Sequence, residues 1–150
     1  MTVWWITLFS TYFLCLFARM SGKYKYVKGE RVFRANALFA GMVCAVLIFV
    51  SGFRQGIGDT GTYRNLFEKV PASFFGFLRH PTIKADSGFY AIVAFIKQLI
   101  SPDSQKVLLC MAIVTIGLIF ITYYKNTDMI EMAVFLFITS GCYLVTMNGV

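Results

Sequence analysis

Ser51-Gly-Phe-Arg-Gln-Gly-Ile-Gly-Asp-Thr-Gly-Thr-Tyr-Arg-Asn-Leu-Phe67 follows directly on an uncharged run that ends at Phe53. Within 17 residues it holds Arg54, Arg64 and Asp59, four glycines (Gly52, Gly56, Gly58, Gly61) and the hydroxyls of Thr60, Thr62 and Tyr63. The nineteen residues 35–53 carry no charge. At about 1.5 Å rise per residue they are long enough for a helix to cross a bilayer. A polar, cationic, glycine-rich segment that must leave such a helix at Arg54 is where chemistry is expected. The flanking chain reads as scaffold.

Composition places that scaffold in a membrane. Hydrophobic residues make up 58% of the chain and charged residues 14%, whereas a soluble domain carries about 25% charged residues. Mean hydropathy is +0.69. A formal charge of +7 would suit a nucleic-acid partner, but the positives fall in the gaps between apolar runs instead of on one solvated face, so no nucleic acid is expected. Cys15, Cys44, Cys110 and Cys142 lie within apolar runs, without a CxxC pair or a histidine cluster. They read as small hydrophobes, so no disulfide, metal site or cofactor is expected.

The predicted fold is all-α and polytopic, a single transmembrane domain over 1–150. Helical membrane segments are expected near 3–19, 32–53, 87–101, 105–124 and 128–147, since only helices and closed barrels satisfy their backbone groups in lipid. Residues 2–18 are uncharged, with Trp4 and Trp5 at one end and Arg19 after the other. A signal peptide would place its positives ahead of the apolar core, so this first helix is expected to stay. Arg19, Lys23, Lys25, Lys28, Arg31 and Arg34 face Glu30 alone in the next loop. That excess assigns loop 19–34 to the cytoplasm, the N-terminus to the outside and loop 54–86 to the extracytoplasmic face.

Further along, Asp59 suits the N-cap of a short helix, and the apolar patch 70–78 suits the lipid interface. Residues 87–101, interrupted by Lys97, are marginal for a crossing. Ser101-Pro-Asp-Ser104 reads as a turn and helix restart, with Pro102 at the first helical position. Residues 107–124 are a clean uncharged run, and Thr139-Ser-Gly141 allows a kink in the last segment. Glu131 and Lys97 are the only charges set within spans, and each reads as close enough to the surface to snorkel. His80 reads as a surface-loop residue.

Gly56-Ile-Gly-Asp-Thr-Gly61 satisfies G-x-G-x-x-G, but it follows a membrane helix, not the strand that a dinucleotide fold requires. Small residues here still let backbone N–H groups approach an anion, and a helix starting near Thr60 would favour phosphate. Arg54 and Arg64 bracket the turn. They read either as headgroup anchors or as a bidentate clamp on pyrophosphate. Asp59 reads as a cap, an arginine partner or a base. Tyr63 reads as packing or a sugar platform, and Asp86 as a helix cap or a sugar contact.

Gly52-Phe-Arg-Gln-Gly-Ile-Gly-Asp-Thr-Gly-Thr-Tyr63 resembles the signature of the EpsG family, the Wzy-like polymerases of bacterial exopolysaccharide and capsule. Asp86-Ser-Gly-Phe-Tyr90 is similar to the family's second acidic-Gly-aromatic element. The chain ends at Asn148-Gly-Val150, where the family's next element would place an arginine. The resemblance therefore implies the N-terminal part of a longer polymerase, inactive alone. It further implies a glycosyltransferase in the bacterial cell membrane. A glycan on undecaprenyl pyrophosphate would pass en bloc to a lipid-linked oligosaccharide repeat unit at the outer face. Arg54, Asp59 and Arg64 would be catalytic, with no metal. Gly56, Gly58, Thr60, Tyr63 and Asp86 would bind substrate. Partners would be the lipid-linked oligosaccharide, the bilayer and other polysaccharide assembly proteins. A non-enzymatic polytopic subunit for export or assembly is the competing class; a transporter half would require charges deep within spans.

Overall fold

The computed structural model describes residues 2–27, 30–54, 60–71, 73–79, 87–100 and 103–148. Eight helices and one β-hairpin are described: α1 (Thr2–Met20), β1 (Lys23–Val27), β2 (Glu30–Arg34), α2 (Ala37–Gly52), α3 (Thr60–Lys69), α4 (Phe74–Arg79), α5 (Ser87–Leu99), α6 (Ser104–Asn126), α7 (Ile130–Thr139) and α8 (Cys142–Asn148). At about 1.5 Å per residue, α1 is ~29 Å long and α6 ~35 Å. Both are apolar enough to cross a membrane. The apolar helices α2, α5 and α7 are shorter.

Two compact units divide the chain, one of Met1–Val50 with Val114–Val150, the other of Ser51–Ile113. In the first, α1 packs along α7. Thr7 and Thr11 are buried on α1, and their hydroxyls donate to the carbonyls of Val3 and Thr7 at 2.7 Å, so neither leaves an unsatisfied hydroxyl in an apolar setting. Tyr143, wholly buried, donates its hydroxyl to the Leu47 carbonyl at 2.7 Å. Its ring packs on Trp4 and Phe137.

The basic loop contains a hairpin. Lys23-Tyr-Lys-Tyr-Val27 pairs antiparallel with Glu30-Arg-Val-Phe-Arg34, setting Tyr24 opposite Phe33 and Val27 opposite Glu30. Tyr24 and Phe33 meet edge to face at 5.4 Å. The helical segment expected from residue 32 therefore begins later, at Ala37. Asn36 caps it, its Oδ1 accepting from the Leu38 N–H at 2.9 Å, as an N-cap side chain should. Gly22 joins α1 to β1, where a Cβ would stand 2.8 Å from the Arg34 carbonyl oxygen, so only glycine fits there without moving backbone.

Charges at this end of the unit are used structurally. The Arg34 guanidinium donates to the carbonyls of Tyr124 (2.9 Å) and Lys125 (2.6 Å), satisfying the exposed C-terminal carbonyls of α6 and complementing its dipole. The Tyr124 hydroxyl donates to the Ala35 carbonyl at 2.9 Å. Arg19 pairs with Glu131, which is 3% exposed against 46% for the arginine side chain. Glu131 therefore does not snorkel. It is buried, with Oε2 lacking a hydrogen-bond partner among the described residues.

Removing one partner of a buried pair costs about 3–5 kcal/mol because the other charge is left behind. Arg19→Ala should fall near the lower end, since Arg19 is half-exposed. Adding Glu131→Leu should recover most of the loss. Thermal unfolding midpoints in detergent measure this, and a double variant no more stable than Arg19→Ala would contradict it.

The final apolar segment is two helices. Gly141 takes φ +82°, a conformation glycine adopts without penalty. It separates α7 from α8 within the Thr139-Ser-Gly141 stretch.

In the second unit, Phe67, Val70, Phe77, Tyr90, Val93, Ala94, Val107 and Leu108 form one buried cluster, drawn from α3, α4, α5 and the start of α6. Asp103 caps α6, its Oδ1 accepting from the Gln105 N–H at 3.0 Å. Pro102 lies outside the described residues. Lys97, read as a snorkelling residue, is 5% exposed. Its ammonium donates to the Phe67 carbonyl and, at 3.0 Å, to the Val70 carbonyl. It thereby closes the C-terminal end of α3, where a cation is favoured.

Candidate functional site

The site begins where α2 stops. Ser51 and Gly52 form its last turn, and Arg54 follows in non-helical backbone. Arg54 is 8% exposed, an uncommon state for arginine, which is almost never fully buried unless paired. Gly52 is needed by contact as much as by conformation. A Cβ there would stand 3.2 Å from Leu109 Cα and closer still to the Leu109 side chain. The glycine lets the last turn of α2 lie directly on the first turns of α6.

That approach puts Gln105 against the end of α2. Its Nε2 donates to the Gly52 carbonyl, one of the orphan acceptors of a helix C-terminus. Its Oε1 accepts from Arg64 on α3. One amide therefore ties the guanidinium of Arg64 to the turn from which Arg54 emerges two residues later. A neutral amide suits this position because a single side chain must both accept and donate. Arg64 Nε is buried without a hydrogen-bond partner among the described residues. The guanidinium thus retains an N–H beyond the one given to Gln105.

Of the residues singled out by sequence, Arg54 and Arg64 are described and belong to one unit. Thr60 and Tyr63 lie in α3, whose first residue is Thr60; nothing further is described of their side chains. Gly56, Gly58, Asp59 and Asp86 lie outside the described residues. Gln105 was not among the sequence candidates. Its one local signal is its place in the first turn of a helix after Asp103, which says nothing of partners 41 and 53 residues away. Lys97 carries no local signal beyond being a charge within an apolar run.

α3 is held at its middle and at its C-terminal end. Gln105 holds Arg64, and Lys97 holds the terminal carbonyls. Gln98 Oε1 accepts from the Phe74 N–H at 3.0 Å, tying α4 to the same end of α5. A support of this kind fixes the position of the Arg64 side chain.

The helices, their apolar exteriors and this polar cluster define a helical membrane protein with a cationic site at a helix end. The chain belongs to the EpsG family, whose family model matches residues 37–150. The resemblance seen in residues 52–63 and 86–90 therefore holds. No curated protein and no solved structure matches the chain.

Proposed function

We propose that this protein acts in a polysaccharide polymerase of the Wzy type, joining undecaprenyl-pyrophosphate-linked oligosaccharide repeat units at the outer face of the bacterial cell membrane. Loop 19–34 lies in the cytoplasm on this reading, and α2 carries the chain outward to Arg54. Sugar transfer breaks the bond between the donor glycan and its pyrophosphate. The departing group gains negative charge as the bond stretches. Arg54 and Arg64 stabilise that charge, since guanidinium matches phosphate oxygens with parallel N–H donors. Asp59 orients an arginine or accepts the proton of the attacking hydroxyl. Gly56, Gly58 and Thr60 admit the pyrophosphate, and Tyr63 and Asp86 contact sugar.

One observation carries this reading: Gln105 joins Arg64 to the end of α2, bringing two arginines to one short stretch in a chain of the EpsG family. Headgroup anchoring alone does not call for an amide bridge to a half-buried arginine.

Deleting the gene and extracting the lipids tests the reaction against the export alternative. A polymerase defect leaves single repeat units on undecaprenyl pyrophosphate and no polymer. An export or assembly defect leaves polymer of ordinary length retained by the cell, and that result would overturn the proposal.

A further inference from the structure

α5 is apolar on two faces, and only one is covered. Tyr90, Val93, Ala94 and Lys97 are buried, in the cluster with Phe67 and Val107 or against α3. Phe89, Ile92, Phe95 and Leu99 are exposed by 38–67%. Spacings of three, three and four residues put these four on one helical face. Phe75 of α4 adds a ring that is 69% exposed. An apolar helix face of this size needs a cover.

The ends of the intervening chain decide what that cover is. Gly52, at the end of α2, accepts from Gln105, the second residue of α6, and abuts Leu109. The chain therefore leaves α2 and enters α6 at one place. Whatever lies between must cross a bilayer an even number of times. α3 and α4 have 10 and 6 residues, far short of the roughly 20 that a span needs. α3 also carries Arg64, Asn65, Glu68 and Lys69. Neither helix can return a crossing made by α5. α5 has 13 residues, about 20 Å against a hydrocarbon core of about 30 Å. Its cation, Lys97, closes α3 and does not reach for a headgroup on the far side.

A second observation, within the other unit, gives the same parity. Arg34, ahead of α2, binds the last carbonyls of α6, so the chain enters α2 and leaves α6 on one face.

We infer that α5 does not cross the membrane but lies along a single leaflet, on the face where α2 ends, with Phe89, Ile92, Phe95 and Leu99 in its acyl region. The partner is lipid, because only four residues separate α5 from α6, and α6 is itself long and apolar enough to cross a membrane and exposes Ile113 within this same unit. This arrangement replaces the crossing expected for 87–101. It also turns α6 over, so that the 125–128 turn shares a face with loop 19–34. The inference rests on membrane residence and is independent of the polymerase reading.

Single cysteines in a background lacking Cys15, Cys44, Cys110 and Cys142 test it, using an impermeant maleimide on intact cells and on inverted vesicles. Ser73→Cys and Lys106→Cys should label from one side, and Ser21→Cys and Asp128→Cys from the other. A crossing α5 would instead group Lys106→Cys with Ser21→Cys, and that grouping overturns the inference. Nitroxides at Phe89→Cys, Ile92→Cys and Phe95→Cys in vesicles supply an independent reading. A helix lying in the leaflet gives similar oxygen-accessible depths at all three. A crossing helix shifts depth by about 9 Å between 89 and 95. Labels reached by water, or occluded from both water and lipid, would equally overturn the lipid assignment.

Discussion

Arg54→Lys is expected to lose polymer almost as completely as Arg54→Ala, while the protein stays in the membrane at its usual abundance. Lysine keeps the charge but not the planar fork that meets two phosphate oxygens together. Removing a preorganised donor from a developing anion costs about 3–4 kcal/mol, or roughly 10²–10³ in rate. Arg54 is 8% exposed, so water cannot easily take the place of the missing donor. Lys28→Ala is the contrast, because five other positives in residues 19–34 still set orientation. Gel ladders of polymer beside immunoblots of membrane fractions separate these outcomes. Ordinary polymer from Arg54→Ala would reduce this arginine to a headgroup anchor.

Gln105→Leu should slow polymerisation by about tenfold to a hundredfold, the scale on which small misplacements of a working group act. Leucine fills similar space, but it leaves the Gly52 carbonyl and the Arg64 guanidinium without their shared partner. Gln105→Glu should be no better. Its carboxylate still accepts from Arg64 but offers the Gly52 carbonyl no donor, and it neutralises the cation the substrate needs. Initial rates and thermal midpoints together discriminate. A large fall in rate with little change in midpoint marks Gln105 as the residue that positions Arg64. Parallel losses in both would make it a structural bridge only.

What the sequence disclosed and what it hid divide along physical lines. α1 and α6 were legible because long uncharged runs have one solution in lipid, and Arg54 was legible because a charge must leave such a run. The pairing of Lys23–Val27 with Glu30–Arg34 has a local trace, because Lys-Tyr-Lys-Tyr-Val alternates with period two, but the same residues carry the charge excess that encodes topology. For Glu131 and Lys97 the sequence offers only their distance to a run's end. Their true settings depend on Arg19, 112 residues away, and on carbonyls 27 and 30 residues away. Gln105 was hidden for the same reason: nothing local marks a side chain whose partners arrive by tertiary packing. Family membership was legible because it rides on a contiguous motif, Gly52 to Tyr63.

The most direct measurement supplies purified full-length protein in liposomes with a chemically defined undecaprenyl-pyrophosphate-linked repeat unit and no other enzyme, and follows products by mass spectrometry. A ladder of two, three and more repeats on one lipid is expected, with one undecaprenyl pyrophosphate released per joining step and no ladder from Arg54→Lys. Wild-type protein that leaves the single repeat unit unchanged, or a ladder undiminished by Arg54→Lys, would contradict it.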